Sequence, residues 1–270
     1  MLNPKISIES LQNPRIKSLV KLRKSSERMA RKETLIEGCR EVERAIMGDY
    51  PIHEFYICSS QLNPTTSSLI SIYADQHEIS IYECTEAVFK KITYRETSDG
   101  IIARAPIPQR TLAKIKLSNH PLLLIAEGIE KPGNIGTLLR TADAAGVNAV
   151  ILINSKTDLS NPNVIRASIG TLFLLPVIEC TPDECFSWLE KNHIRSVGLT
   201  PEAKHLYTDI DYTQPTALMV GSEDKGITAI CKKRLINEVS IPMKGHNDSL
   251  NVSSAAAIAL FECIRQRANI

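Results

Sequence analysis

Three stretches of the sequence combine residue types that could do chemistry, and each follows an apolar run. The first is Glu127-Gly-Ile-Glu-Lys-Pro-Gly-Asn134-Ile-Gly-Thr-Leu-Leu-Arg140-Thr-Ala. Pro132-Gly133 marks a turn, and Asn134 is read as the N-cap of the helix that follows. Gly136 then falls in the first turn, and Arg140 lies about one and a half turns in, where a long side chain can reach back to the loop. A phosphate or substrate contact is one reading; an ordinary strand-to-helix turn is the other. The stretch is not a dinucleotide fingerprint, because G-x-G-x-x-G is absent. The second stretch, Gly221-Ser-Glu-Asp-Lys-Gly226, follows Ala217-Leu-Met-Val220 directly. Its glycines bracket a tight loop in which Glu223 or Asp224 either accepts hydrogen bonds from ribose or amine groups or forms a solvated acidic tip. The third runs from Ile241-Pro-Met243 through a polar loop to Ser249-Leu250-Asn251-Val-Ser253 and an alanine-rich helix. Its small residues permit close helix packing, and spacing alone assigns it no ligand.

Such loops need a frame to hold them. From His120 onward, apolar runs at 122–126, 148–153, 172–178, 194–199, 217–221 and 238–243 alternate with helical stretches, clearest at 134–146, 182–192, 226–235 and 252–268. Continuous apolar strands alternating with helices predict a parallel sheet covered on both faces. In such a sheet ligands bind at the loops after the carboxyl ends of the strands. Ahead of it, residues 34–105 predict a smaller α/β domain, with helices at 34–47, 67–77 and 86–93 and strands at 54–60, 79–85 and 100–106. The proline-containing, weakly periodic segment 106–119 reads as a linker. The expected organisation is therefore a small α/β domain over 1–105, the linker 106–119, and a parallel-sheet α/β domain over 120–270.

The overall charge says little about partners, since 32 basic residues nearly balance 30 acidic ones among 270. The local distribution is more telling. Between Pro14 and Lys32 stand Arg15, Lys17, Lys21, Arg23, Lys24, Arg28, Arg31 and Lys32, against the single acid Glu27. Ile16, Leu19, Val20 and Leu22 recur at near-helical spacing, which predicts an amphipathic helix followed by a basic loop. The cations either bind nucleic-acid phosphates or form a solvated helix face. Seven scattered cysteines without a C-x-x-C pair read as reduced thiols. The six histidines lack ligand spacing, so no metal is expected. Residues 1–10 lack the apolar core of a signal peptide, and no apolar run approaches the roughly 18 residues of a membrane span. A cytoplasmic location and no membrane are the expectation.

Taken in order, the three stretches resemble the signature motifs of the SpoU/TrmH family in the SPOUT superfamily of RNA methyltransferases. The matching pieces are N-x-G-x-x-x-R-T-A from Asn134 to Ala142, G-S-E-x-x-G from Gly221 to Gly226, and I-P-M at 241–243 with S-L-N-V-S at 249–253. The resemblance covers residues 120–270. More weakly, the first hundred residues resemble the small, ribosomal-protein-like substrate-binding domain that often precedes this catalytic domain.

The resemblance implies a deep trefoil knot in the C-terminal domain, a homodimer formed through it, and S-adenosylmethionine bound in the knot. It implies that Gly221, Ile241 and Leu250 hold the donor's adenosine by backbone groups, with Asn251, Ser253 and Thr200 close by. Arg140 and Asn134 would face the acceptor ribose, with Glu223, Ser249 and Asn251 completing the catalytic pocket. The implied reaction is methylation of a ribose 2′-hydroxyl in a structured RNA, ribosomal before transfer RNA. A guanidinium is a very weak base. Arg140 is therefore read as a clamp for a phosphate or developing alkoxide, leaving Glu223, water or a phosphate to take the proton. The competing readings are a non-catalytic RNA-binding protein with a methyltransferase-like core, a base methyltransferase of the same superfamily, and a nucleotide-dependent oxidoreductase.

Overall fold

The computed structural model describes residues 5–95 and 97–268; residues 1–4, part of the segment read above for a leader, lie outside the described ones. The chain forms two compact units, Met1–Pro108 with Asp158–Leu174, and Gln109–Thr157 with Leu175–Ile270. The segment 158–174, which the sequence division left with the C-terminal part, packs within the first unit.

That first unit contains β1 (Ile6–Ile8), α1 (Pro14–Lys21), α2 (Ser25–Arg31), β2 (Glu33–Glu37), α3 (Cys39–Met47), β3 (Glu54–Ile57), α4 (Pro64–His77), β4 (Ser80–Cys84), α5 (Glu86–Ile92) and β5 (Ile101–Pro106). The strands make a mixed sheet in the order β1-β4-β3-β5-β2, with β5 antiparallel to both its neighbours. Ile16, Leu19 and Leu22 bury against Leu35, Tyr56, Phe89 and Ile102. Each such aliphatic side chain contributes about 1.5–3 kcal/mol by leaving water. Where the sequence predicts a helix over 34–47, the structure has a strand and then a helix. Leu35, Cys39 and Val42 mimic helical spacing, but Gly38, at φ +113°, breaks the chain between β2 and α3. The expected helix and basic loop over 14–32 are two short helices instead, the first started by Asn13, whose side chain accepts from the Arg15 N–H, with Pro14 next.

The chain continues with β6 (Leu122–Glu127), α6 (Pro132–Ala144) and β7 (Ala149–Ile153). It then runs through α7 (Pro162–Ala167) and α8 (Thr171–Leu174), which belong to the first unit. The Thr34 hydroxyl donates to the Ser160 carbonyl, and the Arg44 guanidinium donates to the Ile169 carbonyl, tying this segment down. Residues 172–178, expected as one strand, therefore split: Leu172 and Phe173 are helical and buried in the first unit, and the strand begins only at Val177.

The second unit is completed by β8 (Val177–Cys180), α9 (Pro182–Lys191), β9 (Arg195–Leu199), β10 (His205–Leu206), β11 (Thr216–Val220), α10 (Ala229–Lys232), β12 (Asn237–Ser240) and α11 (Val252–Arg267). Its seven strands are ordered β10-β12-β9-β11-β6-β7-β8, and every pairing is parallel. All residues of β6, β7 and β11 are buried, as a sheet covered on both faces requires. Thr181 and Glu184 form a capping box at the start of α9, ahead of the buried Cys185, Phe186 and Leu189. The expected helix over 226–235 shrinks to α10. Among the described residues, no helix is long and apolar enough to cross a membrane.

The order of strands locates the ligand crevice. From β6 the chain moves to β7 on one side, whereas from β11 it moves toward β12 on the other. The neighbours β6 and β11 therefore flank the point where the winding reverses, and the loops leaving their carboxyl ends face a common crevice.

Candidate active site

Three backbone features bring the polar residues together at that crevice. The loop after β6 ends in Pro132 at the first position of α6, a residue pre-set for a helix start. Asn134, expected as the cap, sits inside the first turn, and Lys131 occupies the cap position without a side-chain cap bond. The loop after β11 folds back on itself, with the N–H of Ser222 bonded to the Gly226 carbonyl and the reverse. Gly221 makes this possible: a Cβ there would lie 2.0 Å from the Gly226 carbonyl carbon. Glu223 stands at the tip. Finally, Asn251 caps α11, its Oδ1 accepting from the Ser253 N–H at 2.9 Å. Because the cap engages the oxygen, the Asn251 amide nitrogen is left facing the crevice.

The side chains then converge on one carboxylate. Glu223 Oε2 accepts from Lys131 Nζ at 2.7 Å, and Oε1 accepts from Asn251 Nδ2 at 3.1 Å and from the Asn134 amide. Asn251 Nδ2 also lies 3.3 Å from Asn134 Oδ1. Hydrogen bonds from Lys131 and then from Asn134 hold the Glu223 carboxyl below its usual range, and Glu223 in turn holds the Lys131 ammonium above its own. A carboxylate with three donors and a free approach from solvent can accept a further proton-bearing group.

Beside this cluster lies a cavity of ≈ 610 Å³, within the size range of small-molecule sites. Thr200, Gly221, Glu223, Ile241, Ser249, Leu250 and Asn251 all line it. Ser253 does not; it is 4% exposed, and its hydroxyl donates to the Asn134 carbonyl, bracing α11 against α6. Thr200 is also buried, and its hydroxyl donates to Glu238. Arg140 stands apart from these residues: it is exposed on α6, outside the cavity lining, and makes no hydrogen bond or ion pair among the described residues. Two residues with a structural claim on the site carried no role in the sequence reading. Lys131 was masked by its position in a turn, and Glu127 is the last residue of an otherwise apolar strand, an oddity that could have singled it out.

The basic segment of the first unit is arranged differently. Arg28 is 3% exposed; its guanidinium pairs with Asp158 at 2.9 Å and donates to Ser160 and to the Leu22 and Arg23 carbonyls. It faces inward, away from any phosphate. Arg15 pairs with Glu54, Arg31 pairs with Glu27, and Arg23 donates to the Lys91 and Thr93 carbonyls. Lys17, Lys21, Lys24 and Lys32 are exposed and form no ion pair among the described residues.

Sequence and structure comparisons bear on both units. Residues 121–261 match the SpoU rRNA Methylase family, and residues 13–103 match the MRM3-like substrate binding domain. The chain is 29% identical to the 23S rRNA (guanosine(2553)-2′-O)-methyltransferase RlmP of Bacillus subtilis, across 94% of this chain and 97% of that one. It is 35% identical to the 23S rRNA (guanosine-2′-O-)-methyltransferase RlmB of Haemophilus ducreyi, across 77% of this chain and 85% of that one. Among solved structures, an RNA 2′-O ribose methyltransferase superposes with a TM-score of 0.83 at 39% identity, covering 97% of this chain and all of that one. The SpoU methyltransferase AviRb from Streptomyces viridochromogenes, in complex with AdoMet, superposes with a TM-score of 0.86 at 26% identity, covering 95% and 99%. With a parallel sheet, a reversal crevice and three motif loops converging there, this chain belongs to the SpoU rRNA methylase family.

Proposed function

We propose that this protein transfers a methyl group from S-adenosylmethionine to a ribose 2′-hydroxyl of ribosomal RNA. The observation that carries the reading is the cluster of Asn134, Glu223 and Asn251 at the mouth of a cavity walled by the second and third motif loops. The cavity suits the donor: its volume matches a nucleoside with an amino-acid tail, and its walls offer the backbone of Gly221, Ile241 and Leu250. When bound there, S-adenosylmethionine supplies the methyl group on a sulfonium.

The chain's own residues do the rest. Asn134 and Asn251 hold the Glu223 carboxylate in place, and that carboxylate stands ready to receive the proton of the ribose hydroxyl. Such pre-set alignment supplies much of the rate when the nucleophile is poor. Ser249 lines the same mouth. Arg140, a planar cation, stabilises the anionic side of the reaction.

The exposed position of Arg140 supports a homodimer in which α6 of one subunit meets the pocket of its partner. α11, which packs beside α6, leaves Ile258 37% and Phe261 50% exposed, an apolar strip suited to such an interface. The deep knot belongs to the same reading, as do rRNA before tRNA and a cytoplasmic location. Binding of the donor by calorimetry, combined with mapping of 2′-O-methyl sites in ribosomal RNA with and without the gene, tests the reading. Loss of one defined 2′-O-methyl mark is expected; an unchanged map, or no donor binding, overturns it.

A further inference from the structure

Strand β6 ends on a carboxylate that no cation neutralises. Glu127 is 1% exposed and forms no ion pair among the described residues. Its Oε2 accepts from the Thr228 N–H at 2.9 Å. Its Oε1 accepts from the Thr228 hydroxyl at 2.8 Å, the Cys231 thiol at 3.2 Å and the Asn154 amide at 3.3 Å. Burial pushes the Cys231 thiol up to about 11, so it remains a donor. A charge buried among neutral donors is a costly way to fill space, and an apolar side chain of similar volume would often pack at least as stably.

What the carboxylate achieves is geometric. It fastens together the end of β6, the residue after β7, and Thr228, the residue that caps α10. Asn154 itself sits at φ +53°, a left-handed conformation that needs holding. The loop 221–227, which lines the cavity and carries Glu223, begins at β11 and ends next to Thr228. Its first end is fixed by the sheet, where Val220 stands opposite Ala126. Its second end has Glu127 as its anchor, and the Thr228 hydroxyl is oriented by donating to Glu127 while accepting from the Cys231 N–H.

We infer that Glu127 is a positioning residue for the methyl-donor loop 221–227, setting from behind where its backbone and Glu223 stand relative to the cavity. The inference rests on the proposed methyl transfer, and Glu127 itself touches no substrate. An isosteric Glu127→Gln keeps one acceptor oxygen but, in either orientation of its amide, sets an NH2 group against the Thr228 N–H or against the Thr228, Cys231 and Asn154 donors. Thr228→Val removes the hydroxyl without changing shape.

The test uses the full chain. Calorimetry gives the S-adenosylmethionine affinity, steady-state assays give KM for donor and for RNA, and thermal unfolding reports the fold. Glu127→Gln should weaken donor binding about tenfold to a hundredfold, the range for losing hydrogen bonds to a charged group, while KM for RNA stays within about twofold. Thr228→Val should move the donor in the same direction. In donor affinity the double variant should be no worse than Glu127→Gln alone, because both changes break the Glu127–Thr228 contact, while the cap lost with the Thr228 hydroxyl is read separately in the Tm. Unchanged donor affinity in either single variant would overturn the inference, as would a lowered Tm in protein that still binds donor normally. If Glu127→Gln fails to fold, Thr228→Val decides alone. A wild-type protein that binds no donor is a separate failure: it overturns the proposed function itself.

Discussion

Around Glu223 the polar side chains face a common open space, whereas around Arg28 they close on one another. Both regions were candidates for binding on residue types alone. At the carboxyl ends of β6 and β11, the sheet's reversal sets the positions of Lys131, Asn134 and Glu223, and the cap of α11 sets Asn251. These side chains bond to one another across the crevice and keep a face open to a ligand. In α1 and α2 no such frame exists. Arginines there carry five donors each and find acceptors nearby: Asp158, Glu54, Glu27 and the carbonyls at 22, 23, 91 and 93. Lysines, with a compact charge on a flexible stem, stay in solvent. A run of basic residues therefore counts charges without saying which of them face outward.

The largest effect should come from the inward-facing arginine. Arg28→Ala leaves Asp158 without its cation and takes a donor from the Leu22 and Arg23 carbonyls, and losing one member of a buried pair costs about 3–5 kcal/mol. Thermal unfolding should show the loss, and Arg28→Lys should recover little of it because an ammonium cannot reach all four acceptors. Burial alone would push the Asp158 carboxyl up, but the Ser160 and Ser25 hydroxyls and Arg28 together hold it below the usual range. A depressed carboxylate stabilises the fold above its unfolded pKa of roughly 3.9 and ceases to as pH falls through the folded value. The gap between wild type and Arg28→Ala should therefore be widest above about pH 4 and narrow below it. A variant as stable as wild type but weak on RNA would reverse the contrast drawn here.

Arg140 comes next, and it tests the other side. Arg140→Ala should leave S-adenosylmethionine affinity within a few-fold of wild type while cutting the single-turnover rate on the order of a hundred- to a thousandfold. Arg140→Lys should rescue little, since a point charge does not reproduce a planar fork. A collapse of donor affinity would put Arg140 in the donor site. A fully active monomer in light scattering would remove the reason for its distance from the cavity.

Asn251 tests whether a cap and a site residue can be separated. Asn251→Asp keeps an oxygen for the Ser253 N–H, so the cap of α11 survives and the Tm should fall only by the carboxylate repulsion, and less at a pH where one carboxyl is protonated. The same change puts a second carboxylate against Glu223, which raises the Glu223 pKa, and removes a donor. The rate should fall by about a hundredfold. An unchanged rate would strip Asn251 of any part beyond capping α11.

These contrasts also explain what the sequence revealed. The ordered motifs located Asn134, Glu223, Ser249 and Asn251 because a loop after a buried parallel strand has its place fixed by the sheet. Continuous apolar runs likewise located β6, β7 and β11. The sequence misled where local spacing fits two structures, as at 34–47, where only the left-handed Gly38 separates strand from helix. It also misled where a segment's partners are distant in sequence. Leu172 and Phe173 look like strand residues beside Val177, yet the Phe173 ring packs on Tyr50 and the adjacent Thr171 hydroxyl accepts from Arg44. Neither Arg28–Asp158 nor Glu127–Thr228 can be read from spacing, because 130 and 101 residues separate the partners.

The smallest expected effect, and the finest test of the contrast, concerns the four exposed lysines. Lys17 and Lys21 lie one helical turn apart on α1, Lys24 precedes α2, and Lys32 follows it in a left-handed turn. None is needed to satisfy a buried acceptor, so replacing them should leave the Tm within about half a kcal/mol of stability. If they meet RNA phosphates, each contact releases condensed counterions, and each replacement by glutamine should lower the slope of log affinity against log salt by about 0.7 to 0.9. Donor affinity should stay constant throughout, because the cavity proposed for the donor is lined by the second unit alone. Glutamine is the better replacement, since glutamate would add repulsion and exaggerate any role. Should all four variants keep the wild-type slope, the basic segment is a solvated surface, and RNA recognition must come from elsewhere in the chain. Should the slope fall for Lys17 and Lys21 but not for Lys24 and Lys32, the contact face is that of α1. The basic run of the sequence would then divide into a binding helix and a structural one.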